Sequence, residues 1–336
     1  MSIIIPSYNQ AQFLEETIRS VLLQGYPNLE YIIIDGGSSD GSLDIIRKYE
    51  PWITYWVSEP DGGQSNALNK GFERATGEFL AWVNADDGLL PNAIGRVIET
   101  FMTVSDAVLV YGACQLIDEN DRRLRVAEAL PKMNVDTLLK VGSEIWPTPF
   151  FRRDAFCQVG LFNEQLKYCL DYDLWIRLNR IGNSARCPGS PLAVFRVHEG
   201  SKTSILPIDL AQEIYDVNTI HGGDGYTVAL KSLTARWQGL EHLPIEEAYK
   251  LLQADINSSH YKRLSHALRR RSQPILSEIF AAMAFKLKTK PETKTLALQS
   301  MFYAVYLQPR FLLNRGILAT VFRLLLLEKR QVLNSG

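Results

Sequence analysis

The sequence predicts an α/β protein with a mostly parallel sheet, followed by a region that is mainly helical. Over the first 110 residues, short β-rich runs alternate with amphipathic helical runs, which is typical of βαβ units. Beyond Ser204 the apolar residues recur at helical spacing almost throughout. We therefore predict two domains, an α/β domain at residues 1–204 and a mainly helical extension at residues 205–336.

The elements follow from the local patterns in chain order. The predicted strands of the alternating region are Ile3–Ile5, Tyr31–Ile34, Thr54–Val57, Phe79–Val83 and Ala107–Tyr111. The predicted helices between them are Phe13–Leu23, Ser42–Tyr49, Ser65–Ala75 and Pro91–Met102. Further on, the patterns predict a turn at Asp118–Asp121, a helix at Asp171–Ile181, a strand at Leu192–Val197, and helices at Glu246–Gln253, Ile275–Leu287 and Leu296–Leu307.

The composition is that of a globular protein with a sizeable core. Of 336 residues, 46% are hydrophobic and 22% are charged, which excludes disordered, collagen-like and coiled-coil chains. The net charge of −1 gives no reason to expect a nucleic-acid partner. The four cysteines are spread singly, and the apolar run Ile3–Ile5 is too short for a signal peptide. A reducing, cytoplasmic location is therefore predicted.

The charge is distributed unevenly along the chain. Residues 260–336 carry 14 Lys and Arg against 3 Asp and Glu, whereas residues 1–259 carry 22 against 34. The apolar run Phe311–Leu327 is interrupted by Arg315 and Arg323, which argues against a membrane-spanning helix. Two interpretations of this basic region remain open: a helical subdomain packed on the core, or a peripheral anchor on the anionic inner face of the plasma membrane.

Polar loops follow each of the first four predicted strands: Pro6–Asn9, Asp35–Gly41, Glu59–Gly63 and Asn84–Gly88. In open α/β sheets, ligands bind outside the carboxyl ends of the strands, so these loops are predicted to converge on one rim. Asp35, followed by glycines and serines, could accept hydrogen bonds from a nucleobase or ribose, although an ordinary turn has the same composition. The sequence contains neither a G-x-G-x-x-G nor a Walker motif.

Two adjacent carboxylates, Asp86 and Asp87, follow the apolar strand Phe79–Val83. They repel each other unless a cation lies near them, and Mg²⁺ or Mn²⁺ is the natural partner because both ions combine a few carboxylates with phosphate oxygens. The alternatives are that one of the two caps the helix beginning at Pro91 or stabilises the turn at Gly88. Both alternatives stay open for Asp86 and for Asp87.

The ordered series of motifs resembles the family 2 glycosyltransferases of the GT-A fold, of the type that builds bacterial polysaccharide and O-antigen. The motifs that carry the resemblance are Ile3–Asn9, Asp35–Gly41, Glu59–Gly63, Ala75–Phe79 and Asn84–Asp87. The resemblance covers roughly residues 2–204. It implies a Rossmann-like, mostly parallel sheet of the nucleotide-diphospho-sugar transferase type, with a helical extension after it.

The resemblance also implies roles for particular residues. Asp35 would hold the base, and Asp61 would lie in the nucleotide pocket. Asn84–Asp86 is similar to the D-x-D motif of the family, with Asp86 as a ligand of Mn²⁺ or Mg²⁺, and with an asparagine that can still bond a ribose hydroxyl. The remaining residues implied in nucleotide-sugar binding are Pro6, Tyr8, Asn9 and Ser38.

The general base is sought at the start of the helix Asp171–Ile181, where the family usually has an acidic pair and where Leu170 replaces the first acid. An apolar stripe at helical spacing is predicted to be buried: Leu174, Leu178 and Ile181. Asp171 lies three residues before the first of them and is predicted on the same inward face, as the base or in a capping role. Asp173 is the alternative base. Its position four residues before Arg177 can also be explained by an exposed ion pair between the two side chains.

His198 follows the predicted strand Leu192–Val197. An isolated histidine is often structural, but the resemblance implies that it completes the metal or diphosphate site. The neighbouring Arg196 and Lys202 could then neutralise phosphate charge.

Together these observations predict an inverting, metal-dependent glycosyltransferase that moves a sugar from a nucleotide-sugar, most simply a UDP-sugar, to a hydroxyl acceptor. The resemblance suggests a glycan or lipid-linked glycan as that acceptor. A nucleotidyltransferase is one alternative, but the loop Pro6–Asn9 lacks the glycine and lysine expected of it. A non-catalytic nucleotide-sugar-binding scaffold is the other alternative, because Asn84 and Leu170 replace acids.

Overall fold

The computed structural model describes residues 1–142, 149–202, 208–239, 244–264, 266–287 and 294–309. The chain folds into two compact units. The first unit contains the described residues up to 202 together with residues 216–224, and the second contains the rest. The predicted boundary at Ser204 falls outside the described residues and stays a prediction. The sequence patterns did not predict that residues 216–224 belong to the first unit.

The strands of the first unit form two sheets. In chain order they are β1 (Ser2–Ser7), β2 (Glu30–Asp35), β3 (Tyr55–Ser58), β4 (Phe79–Trp82), β5 (Gly88–Leu89), β6 (Ala107–Tyr111), β7 (Cys114–Asp118), β8 (Arg123–Ala127), β9 (Phe150–Arg152), β10 (Asn183–Arg186) and β11 (Ala193–Val197). The larger sheet has the order β10-β6-β9-β4-β1-β2-β3. Only β9 runs antiparallel to its neighbours in that sheet, which confirms the predicted mostly parallel sheet.

The helices of this unit are α1 (Ala11–Leu22), α2 (Ser42–Tyr49), α3 (Gln64–Arg74), α4 (Ala93–Thr103), α5 (Val135–Val141), α6 (Arg153–Val159) and α7 (Leu170–Ile181). Helices α1 to α4 and α7 lie within about two residues of their predicted bounds at each end, whereas α5 and α6 were not predicted. The apolar residues of α1 at positions 14, 18 and 21 are fully buried against Ile3 and Ile5 of β1. Their helical spacing places all three on one face of α1.

The smaller sheet has the order β5-β11-β7-β8. The turn predicted at Asp118–Asp121 is confirmed, because the Asp118 carboxylate accepts the N–H groups of Asn120 and Arg122 between β7 and β8. Strand β11 pairs with β5 on one side and with β7 on the other. Because β5 begins directly after Asp87, this pairing brings the loop after β4 close to the loop after β11.

The second unit is helical in its described residues, as predicted. Helix α8 (Ile208–Ile220) begins in this unit, and its last residues belong to the first unit. The others are α9 (Gly225–Gly239), α10 (Ile245–Asn257), α11 (Ser259–Arg263), α12 (His266–Leu287) and α13 (Lys294–Leu307). Within the described ranges no helix combines the length and the apolar character needed to cross a bilayer. The run Phe311–Leu327 lies outside those ranges.

Candidate active site

The loops after β1 and β2 bind each other at the carboxyl edge of the larger sheet. The Asn9 side-chain oxygen accepts the N–H of Ser39 at 2.9 Å, and the Asn9 N–H donates to the Ser38 hydroxyl at 2.7 Å. Asn9 has φ +51°, a left-handed conformation that asparagine tolerates better than most residues. The two loops therefore form one continuous surface.

Asp35 is fully buried at the end of β2. One carboxylate oxygen accepts the N–H of Gly37 and of Ser38 and the hydroxyl of Ser58, and the other accepts the Ser38 hydroxyl at 2.6 Å. Three of these four bonds fall on one oxygen, and the other accepts a single bond. Asp35 and Ser38 shape the loop in this structure, and the role predicted for both in binding a nucleotide-sugar stays a prediction.

Asp61 lies in the loop after β3, where its carboxylate accepts the N–H of Gly63 at 2.8 Å. A Cβ atom at Gly36 would lie 3.0 Å from Asp61 Oδ2, so the absence of a side chain at position 36 lets Asp61 approach the loop after β2. Tyr8 is largely exposed, whereas Pro6 is buried in β1. Tyr8, Asn9 and Asp61 are thus brought to the same edge, as predicted, and Pro6 lies beneath it.

Asp86 and His198 meet although 112 positions separate them in the sequence. Asp86 Oδ2 lies 3.0 Å from His198 Nε2, with 18% of the Asp86 side chain and 9% of the His198 side chain exposed. The Phe13 ring of α1 packs against the imidazole, with ring centroids 4.8 Å apart. The structure therefore brings together the two residues predicted to bind metal.

Asn84 belongs to a chain of polar contacts that reaches the rim. Its amide N–H₂ group donates to Asp87 Oδ2 at 2.9 Å, and its amide oxygen accepts from Gln64 at 2.9 Å. The Gln64 oxygen in turn accepts from the Lys202 ammonium at 3.1 Å. Lys202 is placed at the site as predicted. Gln64 was missed, and its only sequence signal is its position directly after the Gly62–Gly63 loop.

Asp87 is buried, and both of its carboxylate oxygens accept hydrogen bonds, one from Asn84 and the other from the backbone N–H of Arg196 at 3.0 Å. Burial, and then the negative charge of Asp86, raise the pKa of Asp87 well above its ordinary value. The alternative that Asp87 caps α4 is wrong, because Asn92 precedes that helix. Asp87 fixes the loop to β11, and this geometry gives no support to its use as a metal ligand.

Arg196 is also buried, beneath the loop that carries Asp86. Its guanidinium pairs with Glu16 at 2.7 Å and with Asp121 at 2.5 Å, and it donates to the backbone oxygen of Asp86 at 3.2 Å. A guanidinium with these partners is not presented to a phosphate. The expectation that Arg196 neutralises phosphate charge is therefore wrong, because the tertiary fold uses it to hold the loop.

Helix α1 supports the same loop from the other side. The Thr17 hydroxyl lies 2.9 Å from the backbone oxygen of Ala85 and 2.6 Å from that of Asp87. These two carbonyls flank Asp86, and Thr17 is buried. Thr17 therefore fixes the backbone on both sides of the predicted metal ligand.

Asp171 is the second residue of α7, and its carboxylate accepts the N–H of Tyr172 at 2.6 Å. Cys169, and not Asp171, precedes the helix, so the capping alternative for Asp171 is wrong. The predicted burial of Ile181 is also wrong: 37% of it is exposed, at the last position before the helix ends at Gly182.

Asp173 pairs with Arg177 at 2.8 Å, as the spacing predicts, but the pair is not exposed. Only 15% of the Asp173 side chain and 19% of the Arg177 side chain reach solvent, because His221 also binds Asp173 at 2.8 Å. Burial opposes ionisation of Asp173, but the His221 hydrogen bond and the Arg177 charge outweigh it, and the pKa of Asp173 lies below its ordinary value.

The sequence model described as Glycosyl transferase family 2 matches residues 2–161, which include the loops after β1 to β4. This part of the chain belongs to glycosyltransferase family 2. An uncharacterized glycosyltransferase of Rickettsia typhi is 34% identical to the chain over 211 residues, which cover 61% of this chain and 66% of that protein. A putative teichuronic acid biosynthesis glycosyltransferase of Bacillus subtilis, TuaG, is 29% identical over 207 residues, which cover 61% of this chain and 81% of that protein.

Among solved structures, TarS 1–349 of S. aureus in complex with UDP-GlcNAc resembles this chain with a TM-score of 0.55. The likeness covers 91% of this chain and 88% of that chain at 15% identity, and it shows that the fold is GT-A, as predicted. The chain spans only 28% to 66% of the length of the Rickettsia relatives that it matches.

The Asp86–His198 pair fits a metal ion whose remaining ligands come from a bound substrate and from water. In the described ranges no group of three or more His, Cys, Asp or Glu residues converges as a metal site would require. One carboxylate oxygen and one imidazole nitrogen within 3.0 Å are a donor pair that Mn²⁺ accepts, with phosphate oxygens and water in the remaining positions.

Proposed function

We propose that this glycosyltransferase domain transfers a sugar from a nucleotide-sugar, most simply a UDP-sugar, to a hydroxyl group, with inversion at the anomeric carbon. The contact of Asp86 with His198 carries the proposal, because it joins a carboxylate and an imidazole at the rim that the loops after β1 to β3 also form. The likeness to TarS, whose structure was solved in complex with UDP-GlcNAc, supports a uridine nucleotide.

Different residues of the chain are proposed to bind different parts of the nucleotide-sugar. Tyr8, Asn9 and Asp61 line the edge proposed for the nucleoside, and Asp35 holds its loop in shape. Asp86 and His198 would hold Mn²⁺ or Mg²⁺, which when bound neutralises charge on the departing diphosphate. Lys202, oriented by Gln64, adds a positive charge on the same side as Asn84.

Asp171 is proposed as the general base that takes the proton of the acceptor hydroxyl as the oxygen attacks the anomeric carbon. A positioned base contributes on the order of 10² to 10⁴ in rate. Asp171 is preferred to Asp173, because Arg177 and His221 both bind the Asp173 carboxylate. A single displacement with one base gives inversion.

The acceptor is proposed to be a glycan, and more specifically a lipid-linked glycan of a cell-surface polysaccharide. The similarity to TuaG, named for teichuronic acid biosynthesis, supports this class. The second unit carries exposed basic residues, among them Lys262, Arg270 and Arg271, and exposed aromatic rings at Phe302 and Tyr306. Exposed basic residues favour binding to an anionic bilayer, where each contributes about 1 kcal/mol.

A panel of nucleotide-sugars, each incubated with and without Mn²⁺, tests the proposal. We expect Mn²⁺-dependent release of the nucleoside diphosphate from at least one sugar donor, and its loss in Asp86→Ala. Binding of nucleotide-sugar without any turnover would instead favour the scaffold alternative. Formation of pyrophosphate from a nucleoside triphosphate and a sugar phosphate would favour the nucleotidyltransferase.

A further inference from the structure

We infer that residues 216–224, beyond the predicted boundary at Ser204, complete the glycosyltransferase domain, and that His221 and Asn218 in this segment are positioning residues for the general base. Their contacts hold helix α7, which carries Asp171. The inference rests on the proposed role of Asp171. It concerns contacts within the first unit alone, since residues 216–224 belong to that unit.

His221 holds the first turn of α7. Its Nε2 atom lies 2.8 Å from Asp173 Oδ1, while Asp173 Oδ2 accepts from Arg177 at 2.8 Å. The His221 side chain is nearly buried, like the ion pair that it joins. Arg177 continues the contact by donating to the backbone oxygens of Val159 and Gly160 at the end of α6. The first turn of α7 is thus tied both to residue 221 and to the preceding helix.

Asn218 holds the neighbouring residue of the same turn. Its side-chain N–H₂ group lies 2.7 Å from the Tyr172 hydroxyl and 2.9 Å from the backbone oxygen of Leu139. The Tyr172 hydroxyl itself donates to the backbone oxygen of Leu138 at 3.0 Å. Burial raises the pKa of Tyr172 to about 12, so the hydroxyl keeps its proton at neutral pH. The two residues that follow Asp171 are therefore both bonded to the segment.

Two glycines allow the chain to turn back over Asn218. Gly222 has φ +83°, and a Cβ atom at Gly223 would lie 2.2 Å from the side-chain oxygen of Asn218. The Gly223 N–H donates to the Asn218 backbone oxygen at 2.9 Å, and the backbone oxygen of His221 accepts from Arg180 at 2.9 Å. Because Arg180 lies in the last turn of α7, the segment contacts both ends of that helix.

These contacts predict a specific kinetic effect. A displacement of a catalytic group by about 1 Å can cost about 10²-fold in rate. The hydrogen bonds described above for the rim loops and for the Asp86–His198 pair join residues outside 216–224, so donor binding should change little. Loss of the segment's contacts should therefore lower kcat and leave the KM of the donor nearly unchanged.

The experiment uses full-length variants His221→Ala, His221→Gln and Asn218→Ala. Arg236→Met is the matched control, because Arg236 and Asp255 form an ion pair in the second unit with only 13% and 11% of their side chains exposed. Two quantities are measured: kcat and KM of sugar transfer, and hydrogen exchange of the peptide backbone over residues 168–176. The exchange measurement needs no substrate.

We expect His221→Ala and Asn218→Ala to lower kcat by about 10²-fold, with a donor KM within about twofold, and to speed exchange at the start of α7. His221→Gln should retain most of kcat, because its amide can still donate to Asp173. Arg236→Met should change neither quantity. Should an alanine variant fail to fold, partial loss in His221→Gln with faster exchange confined to α7 supports the inference.

Unchanged exchange over residues 168–176 in the variants of His221 and Asn218 would overturn the inference, as would an equal loss of kcat in Arg236→Met. The proposed function fails separately, if the wild-type protein transfers no sugar. In that case the exchange measurement still decides whether residues 216–224 hold α7.

Discussion

The indole rings of Trp82 and Trp175 stack with their centroids 5.2 Å apart and their planes 9° from parallel. Trp82 ends β4 two residues before Asn84, and Trp175 lies four residues after Asp171 in α7. The stack therefore joins the strand that leads to the proposed metal ligand with the helix that carries the proposed base. Three phenylalanine rings contact the stack, Phe72, Phe151 and Phe162. Phe156 packs against these three phenylalanines.

Replacing Trp175 tests how much the Trp82–Trp175 stack stabilises the fold. Trp175 is almost fully buried, so Trp175→Ala is expected to lower the free energy of unfolding by about 3–5 kcal/mol. Trp175→Phe keeps an aromatic ring and should cost clearly less. Urea unfolding measures both, and Trp52→Ala, at an exposed tryptophan, is the control. Equal effects at positions 175 and 52 would show that the stack does not stabilise the fold.

Asp86→Ala should abolish metal-dependent turnover and change the free energy of unfolding by less than about 1 kcal/mol. The stability is retained because removal of Asp86 also relieves its repulsion of Asp87. Nucleotide release with and without Mn²⁺ is the measurement, and Asp44→Asn, at an exposed ion pair of α2, is the control. Full activity of Asp86→Ala would exclude Asp86 as a metal ligand.

Asp171→Asn should keep nucleotide-sugar binding and lose transfer by about 10²-fold or more, because the amide cannot accept a proton. Asp173→Asn should instead lower the free energy of unfolding by about 1–3 kcal/mol, since it leaves Arg177 and His221 without their carboxylate. Transfer rates and urea unfolding of both variants are compared. Reversed phenotypes would make Asp173 the base.

Thr17→Val should raise the Mn²⁺ concentration required for half-maximal activity by about tenfold, because supporting residues of metal ligands typically contribute 10- to 100-fold in affinity. The valine keeps the shape but cannot donate to the carbonyls on either side of Asp86. Thr17→Ser retains the hydroxyl and is the matched control. The measurement is activity as a function of Mn²⁺ concentration in both variants. Identical curves would show that the Thr17 hydroxyl does not support metal binding by Asp86.

The stability contributed by Asp173 should depend on pH. Its folded-state pKa lies below the unfolded value of about 3.9. The ionised carboxylate therefore stabilises the fold above that value, and the contribution disappears as the pH falls through the folded-state pKa. The difference in free energy of unfolding between wild type and Asp173→Asn should become smaller as the pH falls from about 5 to about 3.5. A difference that grows over this acidic range would contradict the sign.

The local patterns of the sequence were enough to predict β1 to β4 and β6, the helices that connect them, and the edge of the sheet at which the site lies. The alternation of strand and helix patterns placed β1 to β4 and β6, and the parallel arrangement put the loops at Asn9, Asp35, Asp61 and Asp86 on one rim. These features follow from local spacing, because a period of two or of 3.6 residues decides which side chains face the core. The motifs that indicated glycosyltransferase family 2 are also short contiguous segments, so they could be recognised in the sequence.

The contacts that several of these side chains make are visible in the folded structure and not in the sequence patterns. Asp35 is enclosed by its own loop and Ser58, Arg196 is buried under the Asp86 loop, and Asp173 is covered by His221. The partners Ser58, His221 and Glu16 lie 23, 48 and 180 positions away along the chain from Asp35, Asp173 and Arg196, respectively. A local spacing pattern does not indicate which distant group will lie within about 3 Å of a carboxylate or guanidinium. Whether a charged side chain can be buried depends on such a partner. The low dielectric of the interior disfavours a charge that has no partner in contact with it.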